Sequence, residues 1–134
     1  MKIIIRGRVD EEANGYRRFV YLGGHFVSLN RNDYFSFLAL AVASKNGMAL
    51  NSELLHRTHT ARYIYNLRNE IVRQTIFDKK YIKSLVYNNR LGEYSLVHDS
   101  IDLQISDSFL ERERKDDGRL DILLKYIDNS IKID

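Results

Sequence analysis

The hydrophobic pattern along the chain changes period three times. Near the N-terminus it alternates. KIIIR (2–6), YRRFVYL (16–22) and HFVSL (25–29) are short, rich in β-branched and aromatic residues, and predict strands. Gly23-Gly24 suits a two-residue hairpin, and Asp10 to Gly15 is a polar turn. A small antiparallel sheet is therefore expected first, with Arg17, Arg18 and His25 on its solvent face. DYFSFLALAVASK (33–45) is apolar nearly all round, which predicts a buried central helix. Asn30 or Asn32 can cap it, Leu29 can staple it and Gly47 can end it. MAL (48–50) is extended and free to pair with a strand elsewhere.

Helical spacing returns in ELLHR (53–57), capped by Asn51 or Ser52, and in TARYIYNLRNEIVR (60–73), capped by Thr58 or Thr60. RTHT joins these two helices tightly. QTIFDKK then predicts a loop, with Ile76 and Phe77 tucked against the core. KSLVY (83–87) and EYSLV (93–97) alternate again around the turn NNRLG, so a β-hairpin is expected over 83–97. DSIDLQIS (99–106) is a further strand or a linker. The remainder is helical, broken by Asp116-Asp117-Gly118. Its second piece has a stripe of Leu120, Leu123, Leu124, Ile127 and Ile131 that needs the body of the domain or another copy of the chain as partner. The sum is an α+β fold: an N-terminal antiparallel sheet, a three-helix core, a C-terminal hairpin and an extra C-terminal helix. Residues 1–98 form the domain, and residues 99–134 an acidic extension.

The helix 60–73 carries the candidate chemistry. At about 100° per residue, Thr60, Ile64, Leu67 and Ile71 fall on one stripe and Arg62, Asn66, Asn69 and Arg73 on the other side, flanked by Tyr65. The outer face thus holds two guanidiniums and two carboxamides without an acid. Arg offers a planar fork to guanine edges or phosphates, and Asn can pair bidentately with adenine. Two helices on a short turn, the second presenting such a face, follow the helix-turn-helix plan. The hairpin behind it is then a wing, with Asn88, Asn89 and Arg90 at its tip.

Charge sharpens this reading. Residues 56–90 hold Arg57, Arg62, Arg68, Arg73, Lys79, Lys80, Lys83 and Arg90 against Glu70 and Asp78, whereas residues 98–134 hold ten acids against six bases. A basic middle and an acidic tail give one polyanion-facing surface. Arg57, Lys79, Lys80, Lys83 and Arg90 are placed to hold phosphates, and His59 lies near a helix N-terminus where phosphate binds readily.

Composition removes other classes. Cysteine is absent, which excludes disulfides, a thiol nucleophile and a Cys-based zinc site. His56 and His59 lack a third ligand nearby, so no metal is expected. Neither a Gly-rich phosphate loop nor a paired-carboxylate or Ser–His–Asp arrangement is evident, so no enzyme and no cofactor are expected. His98, Asp99 and Asp102 cluster in sequence, as is commonplace at strand ends. MKIIIRGR is too short for a signal peptide's apolar core and no run approaches a membrane span, which predicts a cytoplasmic, nucleoid-associated protein without membrane contact.

With this element order, the chain resembles the winged-helix effector domains of OmpR/PhoB-type transcription regulators over residues 16–97. IYNLRNEI (64–71) resembles their recognition-helix signature, and LGEYSL (91–96) their second wing strand. The resemblance implies that Asn66, Asn69 and Arg73 contact bases or backbone, that Arg90 is the wing contact, and that Ile64, Leu67 and Ile71 are structural. Arg68 matches the family's Leu-Arg pair but projects sideways, leaving phosphate contact or an internal salt bridge. The chain departs from the family in its very short connection before the third helix, in lacking a receiver domain, and in its acidic tail. The expected function is sequence-specific binding of double-stranded DNA by a transcription regulator, as a homodimer through the C-terminal helix. The alternative is a winged helix serving as a protein-interaction module in a larger assembly.

Overall fold

The computed structural model describes residues 1–10, 15–45, 47, 49–50, 60–88 and 92–116. Strands β1 (Lys2–Asp10), β2 (Gly15–Leu22) and β3 (His25–Ser28) come first, followed by helix α1 (Arg31–Lys45). Helices α2 (Thr60–Gln74) and α3 (Lys79–Leu85) lead into strands β4 (Val86–Asn88) and β5 (Tyr94–Leu96). Strand β6 (Ser100–Ile105) and helix α4 (Asp107–Asp116) close the described chain. The architecture is α+β, with four helices among the described residues.

The expected N-terminal sheet forms, and it is mixed rather than antiparallel. Its order is β3-β2-β1-β6, and β6 lies parallel to β1 with Ile3 opposite Ile101 and Ile5 opposite Leu103. Of the two readings open for residues 99–106, the strand holds. Alternation explains the pairing: Ile101, Leu103 and Ile105 all point into the core and extend the apolar face built by Ile3, Ile5, Val20, Leu22 and Val27. The β2–β3 turn needs Gly23 (φ 55°) and Gly24 (φ 86°), since both central residues adopt the left-handed conformation.

Helix α1 is buried over residues 33–43, as its largely apolar sequence requires, with Asp33 and Ser36 buried among the apolar side chains. The Asn30 side chain caps it by accepting from the Asp33 amide at 2.8 Å, which resolves the choice between Asn30 and Asn32. Gly47 stands just past its end with φ 71°, its amide donating to the Ser44 carbonyl. Leu50 makes the expected distant pairing, exchanging backbone hydrogen bonds with Tyr94 of β5 at 2.7 and 2.9 Å.

Helix α4 packs against β1 and reaches α1 through two side chains. Phe109 reaches the Tyr34 ring, and Gly7 is kept open for both, because a Cβ there would stand 2.6 Å from the Tyr34 hydroxyl and 2.8 Å from the Phe109 ring. Glu113 is completely buried and is clamped by two guanidiniums. Arg18 donates to Oε1 through Nε (2.9 Å) and Nη2 (2.5 Å), and Arg31 donates to Oε2 at 3.0 and 2.7 Å. Arg18 therefore does not face solvent as expected. It shares the inward parity of Val20 and Leu22 on β2, and burial of its charge is balanced by the carboxylate.

Residues 75–88 depart from the sequence reading. Lys79–Leu85 is helix, not loop followed by strand, so the hairpin is β4 with β5 alone and Lys83 belongs to a helix. The helix starts at Asp78, its N-cap, which accepts from the Tyr81 amide at 2.8 Å, while Ile82 and Leu85 share the inward face at helical spacing. Ile76 is 82% exposed rather than tucked away, whereas Phe77 packs on the core, stacked with Tyr81 and edge-on to His25. The helix expected at 53–57, the wing tip with Asn89 and Arg90, and the stripe from Leu120 to Ile131 lie outside the described residues, as do Arg57 and His59.

Candidate nucleic-acid interface

Helix α2 is strongly two-sided. Ile64, Leu67 and Ile71 are fully buried against the core, held between α1, α3 and β3. Arg62, Asn66 and Arg73 are exposed, Tyr65 is 62% exposed, and Asn69 is half-buried. The structure thus brings the outer residues of α2 to one surface, as the helical period dictates.

Two shallow concavities flank this ridge, and Asn69 borders both. The first, about 350 Å³, lies between the start of α1 and α2 and is lined by Asn30, Asn32, Asp33, Asn66, Asn69, Glu70 and Arg73. The second, about 230 Å³, lies between α2 and α3 and is lined by Tyr65, Arg68, Asn69, Val72, Lys79 and Lys83. Lys79 and Lys83 are one helical turn apart on α3, so both ammonium groups border the same hollow beside Tyr65 and Asn69. Lys80 is exposed but lines neither concavity.

The outer face is not free of acid. Arg73 donates through Nε to Glu70 Oε2 (3.1 Å) and through Nη2 to Glu70 Oε1. Gln74 donates to the same Oε1 at 2.6 Å and is itself fixed to the sheet, donating to the Ser28 carbonyl (2.7 Å) and accepting from the Ser28 amide (2.8 Å). The hydrogen bonds from Arg73 hold the Glu70 carboxyl below its ordinary range, and the same pairing raises Arg73. Asp33 moves the other way. Burial raises its carboxyl and the nearby Glu70 charge raises it further, against the Asn30 hydrogen bond. The Glu70–Arg73 spacing of three was legible in the sequence as a helical ion pair. Asp33 and Gln74 gave no such signal, since their partners come from other elements.

Arg68 settles inside. Its Nε donates to the Val86 carbonyl at 2.9 Å, Nη2 donates to the same oxygen, and the guanidinium lies 5.9 Å from the Tyr94 ring centroid. The acceptor is a backbone carbonyl, so the internal contact is a hydrogen bond and not the salt bridge, and the side chain also lines the second concavity. Burial lowers its pKa. The side chain ties α2 to the hairpin and sets their relative position.

The His98–Asp99–Asp102 cluster is dispersed. Asp99 pairs with the N-terminal amine, His98 Nδ1 meets the Leu96 carbonyl at 3.0 Å, and Asp102 accepts from Gln104 at 2.8 Å. Among the described residues, no group of three or more His, Asp or Glu is arranged to hold a metal ion, and no helix is long and apolar enough to cross a membrane. Comparison with protein-family models, with curated proteins and with solved structures gives no match.

Proposed function

We propose that this chain is a winged-helix, sequence-specific double-stranded DNA-binding transcription regulator of the OmpR/PhoB type, with α2 as its recognition helix. The polarity of α2 carries the reading: three aliphatic residues fully buried on one side, Arg62, Tyr65, Asn66 and Arg73 exposed on the other. The connectivity supports it. Helix α1, the short pairing of Leu50 with Tyr94, helix α2 and the β4–β5 hairpin follow in winged-helix order, with α3 inserted before the hairpin. In this reading Arg62, Asn66, Asn69 and Arg73 face base edges or backbone in the major groove. Lys79 and Lys83 hold phosphate across the second concavity with Tyr65, and Lys80, Arg57, His59, Asn89 and Arg90 add further contacts to the duplex. Homodimerisation through the C-terminal stripe doubles the length of sequence read, and a cytoplasmic, nucleoid-associated location follows. Selection of bound duplexes from a random pool tests the proposal: a recurring motif is expected, and retention without any sequence preference contradicts it.

A second reading, a protein-interaction module, draws on Tyr81 and Val97. Both are exposed, and they share a small apolar hollow with Met1 and Leu85. A chain that fails to shift any duplex at low salt favours it.

A further inference from the structure

On the outer face of α2, Arg73 is both neutralised and aimed by its contact with a carboxylate. Glu70 occupies one edge of its guanidinium, taking Nε and one hydrogen of Nη2. A guanidinium has five N–H donors in a rigid plane. Two are used, and the remaining edge, formed by Nη1 and Nη2, still presents two parallel donors. The side chain is 70% exposed, so that edge is accessible to a ligand. Glu70 does not swing freely, because Gln74 donates to it and is doubly bonded to the backbone of Ser28 on β3. The orientation of Arg73 is therefore referred back to the sheet through two side chains in series, Glu70 and Gln74.

Charge decides what such a group can bind. A phosphate approaching Arg73 meets the Glu70 carboxylate alongside, with Asp33 lining the same concavity, and the net attraction of the pair for an anion is small. A neutral ligand with two adjacent acceptors loses nothing to that repulsion. Guanine presents such a pair in the major groove, N7 and O6, and bidentate Arg is their usual partner.

Resting on the DNA-binding reading above, we propose that Arg73 reads a guanine through its free Nη1–Nη2 edge, and that Glu70 and Gln74 are positioning residues that direct it to a base and away from the phosphates. Lys79 and Lys83, which make no carboxylate contact among the described residues, serve the backbone instead.

The test uses the full chain and the duplex it selects from a random pool. Each guanine is replaced in turn by 7-deazaguanine, which lacks the N7 acceptor, and affinity is measured across a salt series. At one guanine the replacement is expected to weaken the wild-type chain roughly tenfold. Arg73→Ala should lose at least as much on the unmodified duplex, since both acceptors then go unmet, and show no further loss on the modified one. Glu70→Gln should relax the preference at that guanine and steepen the salt dependence, since it frees a cation. Unfolding curves of each variant separate these effects from loss of fold. The proposal is overturned if Arg73→Ala weakens all duplexes equally, whatever base stands at that position, which places Arg73 on a phosphate. Binding of no duplex by the folded wild-type chain overturns the DNA-binding reading itself, and this proposal with it.

Discussion

Gln74 and Ser28 are joined edge to edge: the carboxamide donates to the Ser28 carbonyl at 2.7 Å and accepts from its amide at 2.8 Å. Strand β3 is the outer strand of the sheet, so its free backbone groups would otherwise face water or a foreign strand. The side chain of α2 stands in for a neighbouring strand and fixes the helix against the sheet. Gln74→Ala should cost about 1 kcal/mol, the usual net worth of such hydrogen bonds at a partly exposed site. It should also accelerate amide exchange at Ser28. Urea unfolding and hydrogen exchange measure both, and unaltered exchange at Ser28 contradicts the bond.

The Glu113 clamp makes a larger demand. A completely buried carboxylate sits between Arg18 of β2 and Arg31 of α1, and removing it takes the carboxylate from two partly buried guanidiniums. Glu113→Ala is expected to destabilise the chain by about 3–5 kcal/mol. A loss under about 1 kcal/mol in urea unfolding would show that water reaches the arginines readily.

Tyr34 illustrates the opposite economy. Its hydroxyl is buried with no hydrogen-bond partner among the described residues, and burial raises its pKa steeply. Tyr34→Phe should therefore leave stability unchanged or raise it by about 1 kcal/mol. Gly7→Ala should cost about 1–3 kcal/mol by crowding that hydroxyl and Phe109. The cost should shrink in the Tyr34→Phe background, where the nearest atom is gone. Additive effects in thermal unfolding would contradict the contact.

Asp33 and Glu70 pull stability in opposite directions with pH. The folded chain holds the Asp33 proton more tightly than the unfolded chain, so its contribution is present below the ordinary value of 3.8 and is lost as pH rises through the raised value. Glu70, held below its ordinary 4.5, contributes above that value and loses its contribution as pH falls. Asp33→Asn should therefore gain stability relative to wild type as pH climbs from acid towards neutrality. The groups facing Asp33 are Glu70 and Asn30, and neither replaces the lost charge. A stability difference that is flat with pH contradicts the raised value.

Much of this was legible from spacing alone. Alternation located β1, β2 and β3, a run apolar nearly all round located α1, helical spacing located α2, and the buried stripe of α2 fell on Ile64, Leu67 and Ile71 as counted. What escaped required partners distant in sequence. Arg18 looked like a surface cation because nothing near it announced Glu113, 95 residues away. The parallel pairing of β6 with β1 joins segments 98 residues apart (Lys2 with Ser100), which no local pattern encodes. Helix α3 was missed for a different reason: seven residues are too few for period 3.6 to outweigh alternation, and only its Asp78 cap distinguished the two. At the candidate site, the outward residues of α2 were legible, while the Gln74–Glu70–Arg73 chain depends on how α2 lies against β3.

The central claim is that the outer face of α2 meets a polyanionic duplex. Titration of the chain against a labelled random-sequence duplex, repeated at rising salt, tests it most directly. The account predicts binding at low salt that weakens by about a hundredfold for a fourfold rise in salt if roughly four phosphates are held. Lys79→Ala and Lys83→Ala should each reduce that slope by about one phosphate. A folded chain that leaves the duplex unbound at the lowest salt contradicts it.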